Sequence, residues 1–236
     1  MAILTRNWLD DQELKLFDFR PDKVDPAAVL HMTGYPGRGN KIFDLSRYCN
    51  HGTITGAAWT RLPSGLWCLA FDGTDDKITV PDAASIRLGT TFTIEMWIRS
   101  SGTTKGLLQN CVTGTELGIF QMGTYSTKAY YVMRNPSNNL KEYISLGVAI
   151  NTGEFIHLVC TRNGAIFKDY KNGTLDIDKA DCITGVVHTT IDTVIGYAPA
   201  LAQYWDDMIG LVKIYNRDLN SQDVKALYRR EVICVR

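Results

Sequence analysis

The chain has 236 residues, 45% hydrophobic and 21% charged, which is ample for a large core and too apolar for a disordered chain. Twenty-five basic residues balance 25 acidic ones, so there is no electrostatic footprint for nucleic acid. The apolar runs are too short to span a bilayer, and the start MAILTRNWLDDQ lacks the apolar stretch of a signal peptide. Synthesis in the cytoplasm, with no membrane insertion, is the expectation.

Residues 1–25 differ in character from the rest of the chain. Trp8, Leu14, Leu16, Phe17 and Phe19 are interleaved with Asp10, Asp11, Glu13, Lys15 and Asp18, and neither a helical nor a strand period fits the segment. It reads as an N-terminal arm, with those five apolar residues as a docking surface, ahead of a domain over 26–236. Val29–Met32 predicts a short strand, succeeded by a glycine-rich loop at 34–39. Leu69-Ala70-Phe71 is a strand running into the turn Asp72-Gly73-Thr74-Asp75-Asp76, after which Ile78 and Val80 alternate with Lys77 and Thr79. Phe92, Ile94, Met96 and Ile98 fall on one face of a period-two strand. Residues 106–150 hold several short strands separated by Gly, Asn, Ser and Pro, and 155–160 is another strand. Asn172-Gly173 is a two-residue hairpin turn; with Thr174 it fits a glycosylation sequon, which a tight turn without a secretion signal makes a chance match.

The run Met208–Tyr215 is apolar enough that both of its faces should be covered. Asn220 is placed to cap a short helix, with Asp223 as the capping-box acid and Leu219 and Val224 as a hydrophobic staple. Val224, Leu227 and Tyr228 share one helical face, so this helix should pack on a sheet as a lid.

Four of these stretches carry a family resemblance. They are Leu69–Pro81 (L-A-F-D-G-T-D-D-K-I-T-V-P), Phe92–Ile98 (F-T-I-E-M-W-I), Glu154–Gly164 (E-F-I-H-L-V-C-T-R-N-G) and Val212–Asn220 (V-K-I-Y-N-R-D-L-N). In that order they resemble the laminin-G-like jelly rolls of the concanavalin A-like lectin/glucanase superfamily. The resemblance implies an all-β, two-sheet antiparallel jelly-roll sandwich, six or seven strands to a sheet, closed by a short C-terminal helix.

The superfamily includes glycoside hydrolases, so catalysis must be weighed. Those related to β-glucanases carry E-x-D-x-E on one strand, which sets alternate carboxylates about 5–5.5 Å apart as retaining chemistry needs. No such run exists here; Asp176-Ile177-Asp178 lacks a glutamate in register, and Glu142 and Glu154 stand alone. The chain is expected not to be an enzyme, with a degenerate hydrolase as a distant alternative. Calcium, which many laminin-G-like modules bind, has Asp72, Asp75 and Asp76 as candidates, but calcium takes about six to eight oxygens, and Asx residues in turns mostly cap backbone. No cofactor is expected. For carbohydrate, Tyr204, Trp205, Asp206 and Asp207 combine aromatics with carboxylates beside a loop, as does Tyr125 with Tyr130 and Tyr131; the alternative is that these rings fill a core or an interface. The six cysteines show no C-x-x-C spacing, so zinc is not expected and reduced thiols are, with a Cys49–Cys68 pair left open. His31, His51, His157 and His188 are dispersed and read as structural.

Taken together, these features point to a non-catalytic module for attachment or assembly. Its partners would be proteins of a larger particle or further copies of itself, and host-surface glycans. Modules of this kind with a short added arm resemble bacteriophage virion proteins used in capsid decoration or tail adhesion, which implies a place on a virion surface. A soluble carbohydrate-binding lectin is the alternative.

Overall fold

A computed structural model describes residues 24–34, 36, 39–100, 105–110, 120–134, 141–180, 182, 190–199 and 202–235. The proposed arm residues Trp8, Leu14, Leu16, Phe17 and Phe19 lie outside that set. The strands in chain order are β1 (Ala28–Met32), β2 (Lys41–Ile42), β3 (Gly52–Thr55), β4 (Ala58–Arg61), β5 (Trp67–Ala70) and β6 (Lys77–Val80). Next come β7 (Thr91–Arg99), β8 (Lys105–Asn110), β9 (Phe120–Tyr125), β10 (Lys128–Arg134), β11 (Lys141–Ala149) and β12 (Phe155–Asn163). The last are β13 (Ile166–Lys171), β14 (Thr174–Lys179), β15 (Thr193–Ile195), β16 (Tyr197–Ala198), β17 (Gln203–Tyr204) and β18 (Met208–Tyr215), followed by helix α1 (Ser221–Val235).

Two antiparallel sheets form the sandwich. One runs β14-β13-β12-β7-β18-β5-β4 with β1 also paired to β18, and the other runs β11-β10-β9-β8-β15-β6-β3-β2. Among the described residues each therefore holds eight strands rather than six or seven. The excess is in short elements, such as the two-residue β2 and the four-residue β4, whose periodicity is too brief to register in sequence.

Between the sheets lies the main core. Phe92, Ile94, Met96 and Ile98 of β7 enter it as expected, beside Ile156, Leu158 and Cys160 of β12 and Val212 and Ile214 of β18. Met122, Tyr131 and Ile195 meet them from the opposite sheet. The chain reverses at Asn172 (φ 51°) and Gly173 (φ 74°), the left-handed pair that a two-residue hairpin demands and that Asn-Gly tolerates best. At one border Asp176 accepts hydrogen bonds from the N–H groups of Gly147 (2.7 Å) and Val148 (3.3 Å) on β11. That carboxylate ties the two sheets together and occupies donors of an edge strand that would otherwise be open to pairing.

The C-terminal segment adheres closely to its sequence pattern. Asn220 Oδ1 accepts the N–H groups of Gln222 (2.8 Å) and Asp223 (3.0 Å), and Asp223 reaches back to the Asn220 N–H at 3.4 Å. Leu219 and Val224 close the staple in a second buried cluster with Val159, Tyr170, Tyr215 and Ala28. Helix α1 thus lies on the outer face of β12, β7 and β18, and β18 is covered on both sides.

Candidate functional site

The face under α1 carries charge where the sequence pattern leads one to expect a plain lid. Glu95 on β7 lies opposite Lys213 on β18, and both point toward the helix. Lys213 Nζ donates to Glu95 Oε1 (3.3 Å) and to Glu231 Oε1 of α1 (2.5 Å). Tyr215 donates to Glu95 Oε2 at 2.7 Å, Trp97 Nε1 donates to Glu231 Oε2 at 2.8 Å, and His157 Nε2 sits 3.1 Å from Glu95 Oε1. Burial alone would raise the pKa of Glu95, but the Lys213 ammonium and the His157 bond hold it well below the usual carboxylate range. Burial works against the charge of Lys213 too, and Glu231 with Glu95 raises its pKa regardless. Above this network Trp97 stacks on Tyr228 of α1 at 5.8 Å.

Glu95, His157 and Glu231 bring their ligand atoms within 4.8 Å of one another, but the cation among them is Lys213. Nor can Glu95 and Glu231 serve as a glycosidase pair, since both are buried and bonded to that ammonium. Beside the helix a cleft of ≈ 270 Å³ is lined by His31, Lys213, Tyr215, Arg217 and Arg230 among others. Its Arg217 is already held by Asp25 (2.7 Å) and Asp223 (3.1 Å). Burial and the neighbouring Lys213 bring the pKa of His31 down to about 3, so that imidazole is neutral. These groups are committed to one another and make a structural clamp.

A different arrangement occupies the rim where β8 begins. The hairpin β16–β17 pairs Tyr197 with Tyr204 and Ala198 with Gln203, and the two tyrosine rings stack with centroids 4.1 Å apart. The hairpin is fixed to the sandwich by Gly196 N–H to Leu107 O (2.8 Å), and Trp205 N–H closes onto Gly196 O at 2.8 Å. Lys77 Nζ lies 5.6 Å from the centre of the Tyr197 ring. Lys105 pairs with Asp206 at 3.0 Å. The Asp72–Asp76 turn belongs to the same rim: a Cβ placed on Gly73 would lie 2.8 Å from Asp206 Cβ. Two groups of residues far apart in sequence therefore form one surface.

The four expected carbohydrate residues divide within it. Tyr204 and Asp206 are half-buried and face outward in part, whereas Trp205 is wholly buried in the main core and offers no platform. Asp207 is buried and neutralised by Arg99 at 2.7 Å. These two corrections share one cause: the segment alternates as it enters β18, so every second residue turns inward. Among the described residues, Gln203 Oε1, Trp205 Nε1 and Asp206 Oδ1 are buried side-chain atoms without a hydrogen-bond partner. Buried polar atoms are normally paired; Gln203 and Asp206 leave two unpaired acceptors at the rim, Trp205 Nε1 lies in the core, and similar atoms occur elsewhere, such as Trp59 Nε1, Ser100 Oγ and His157 Nδ1.

Other candidates fall elsewhere. Tyr125 is 70% exposed at the β9–β10 turn, next to Thr124, which pairs with Lys105. Tyr131 is buried and donates to Asp169, whose carboxyl burial pushes well above its usual range. Asp178 pairs with Lys168 at 3.2 Å. Cys49, Cys68, Cys160 and Cys182 are free thiols, so the Cys49–Cys68 pair does not form, while Cys111 lies outside the described residues. In the acidic turn Asp72 Oδ1 accepts the Thr74 N–H and Asp76 Oδ2 accepts the Asp72 N–H, both at 2.8 Å. Burial raises the pKa of Asp76. Three carboxylates with two oxygens already committed fit a capped turn better than a calcium cage.

Comparison with known proteins agrees with this architecture. A profile described as the concanavalin A-like lectin/glucanases superfamily, of laminin-G type, matches residues 72–225. The chain belongs to that superfamily. Among curated proteins no sequence matches. Solved structures with this superfamily's sandwich include the binding domain of Paraclostridial Mosquitocidal Protein 1, with a TM-score of 0.67 at 18% identity over 86% of this chain and 52% of that one. The botulinum neurotoxin serotype G binding domain gives 0.68 at 14%, over 86% and 50%. The serotype D ligand binding domain, solved with N-acetylneuraminic acid, gives 0.71 at 13%, over 90% and 53%. The chain thus spans about half the length of the structures it resembles, and at these identities the likeness concerns the fold. The structures named are binding domains.

Proposed function

We propose that this superfamily member is a non-catalytic attachment module that binds glycan on the rim formed by Tyr197, Tyr204, Lys105 and Asp206. The observation that carries the reading is the stacked tyrosine pair beside buried polar atoms that lack partners. Sugar rings present C–H faces to aromatic surface and hydroxyls to polar atoms, and this rim offers both. Binding domains of the same fold, one of them solved with a sialic acid, support the class of ligand. That the solved structures of this fold named above are binding domains supports the non-enzymatic reading.

The body to which the module attaches is proposed to be a particle such as a bacteriophage virion. The support is the apolar content of residues 1–25, where burying Trp8, Leu14, Leu16, Phe17 and Phe19 against a partner would contribute about 1.5–3 kcal/mol each, before ordering costs. The test is a glycan array on the full chain and on Tyr204→Ala, with reducing-end assays in parallel. Glycan binding that Tyr204→Ala abolishes, without turnover, is expected. Binding unaffected by the substitution, or turnover abolished by one Glu→Gln change, would overturn the proposal. Deleting residues 1–25 should leave glycan binding intact and abolish attachment to the particle; a deletion that still attaches would dismiss the anchor.

A further inference from the structure

Resting on that proposal, we infer that the rim selects neutral, hydroxyl-rich glycans and rejects those carrying carboxylate or sulfate groups. Two ammonium groups, Lys77 and Lys105, share the rim with the half-buried or exposed carboxylates of Asp72, Asp75 and Asp206, while Asp76 beside them is buried. Lys105 is bound to Asp206 at 3.0 Å, and Lys77 lies by the Tyr197 ring. Arg99, the next cation along, is neutralised by Asp207 at 2.7 Å. Lys128, across from Tyr125 at the tip of the next hairpin, is exposed to solvent.

The polar atoms that remain point the same way. Asp206 Oδ1 and Gln203 Oε1 are acceptors without donors, and Asp75 adds an exposed carboxylate. Acceptors are satisfied by sugar O–H groups, which donate; a ligand carboxylate or sulfate can only accept. An anionic sugar here would meet surplus negative charge, and like-charge juxtaposition is what excludes wrong partners at an interface. The serotype D domain, which shares the fold at 13% identity, was solved with an acidic sugar.

The test compares matched ligands. A neutral oligosaccharide identified on the array is titrated calorimetrically into the full chain, beside the same oligosaccharide capped with sialic acid or sulfated, in EDTA at low and moderate salt. The neutral form should bind at least about tenfold more tightly, with a gap that narrows as salt screens the rim. Asp206→Asn and, separately, the exposed Asp75→Asn should narrow it as well. If the acidic form binds equally or better while Tyr204→Ala abolishes both, the charge inference falls and the glycan site stands. If Tyr204→Ala leaves both intact, the site itself falls, and the inference with it.

Discussion

Two polar regions of this sandwich are built in opposite ways. Under α1, Glu95, Lys213 and Glu231 are buried, and each finds a partner within 2.5–3.3 Å. At the rim, Tyr197 and Tyr204 are half-exposed, and Gln203, Trp205 and Asp206 each leave a buried polar atom unbonded. Charge removed from water is tolerated only when paired, so the first region has committed its charges to holding a helix in place, although His157 Nδ1 there is left without a partner. The second retains capacity, and a surface meant for a ligand needs that.

The largest effect should come from breaking the clamp. Lys213→Met leaves Glu95 and Glu231 buried without their counter-ion, and removing one partner of a buried pair costs about 3–5 kcal/mol. Urea denaturation should show a loss of that order, with rim binding retained in the folded fraction. A wild-type midpoint would mean the network is not what secures α1.

The same clamp should respond to pH at both ends. Glu95 has a folded pKa below its unfolded value of 4.5, so its stabilisation is present above that value and is lost as pH falls through the folded one. Lys213 has a folded pKa above its unfolded 10.5, so its contribution is full below that value and is lost as pH rises through the folded one. Asp169 acts with the opposite sign to Glu95. Its raised pKa favours the fold at low pH, an advantage that declines as pH climbs above 3.8. Stability measured from pH 3 to 7 should therefore rise less steeply than Glu95 alone would give, and Asp169→Asn should steepen it. An unchanged profile in Asp169→Asn would show that the Asp169 pKa does not differ between the folded and unfolded states.

At the rim the expected balance reverses. Tyr204→Ala removes one member of a stacked pair that contributes about 0.5–1.5 kcal/mol, so the melting temperature should move by only a few degrees while glycan binding is lost. A variant that unfolds instead would move Tyr204 from the ligand surface to the fold. The smallest effect concerns calcium: with the acidic turn capped by its own backbone, EDTA should leave the melting temperature unchanged. A bound ion in excess of its dissociation constant would contribute roughly 2–4 kcal/mol, so a fall of several degrees, absent in Asp75→Ala, would establish a metal there.

Local rules determined much of this protein from sequence alone. The period-two pattern of Phe92–Ile98, the Asn172-Gly173 turn and the Asn220 cap depend on residues within a few positions of each other, and all took the predicted form. Even the covering of both faces of Met208–Tyr215 was legible, and a lysine inside so apolar a strand was a signal that a buried partner existed. Which partner it took was set by tertiary structure. Glu95, Lys213 and Glu231 are brought together by strand register and helix docking over separations of 118 and 18 residues. The rim obeys the same limit: Tyr204 and Asp206 could be suspected from composition, but only the β16–β17 pairing supplies Tyr197. Likewise, only the packing of Gly73 on Asp206 joins the acidic turn to the tyrosines, and only the direction of each side chain sends Trp205 and Asp207 inward. Sequence specifies which residues can form a strand or a cap because those interactions are local, whereas a site depends on distances between strands that periodicity does not encode.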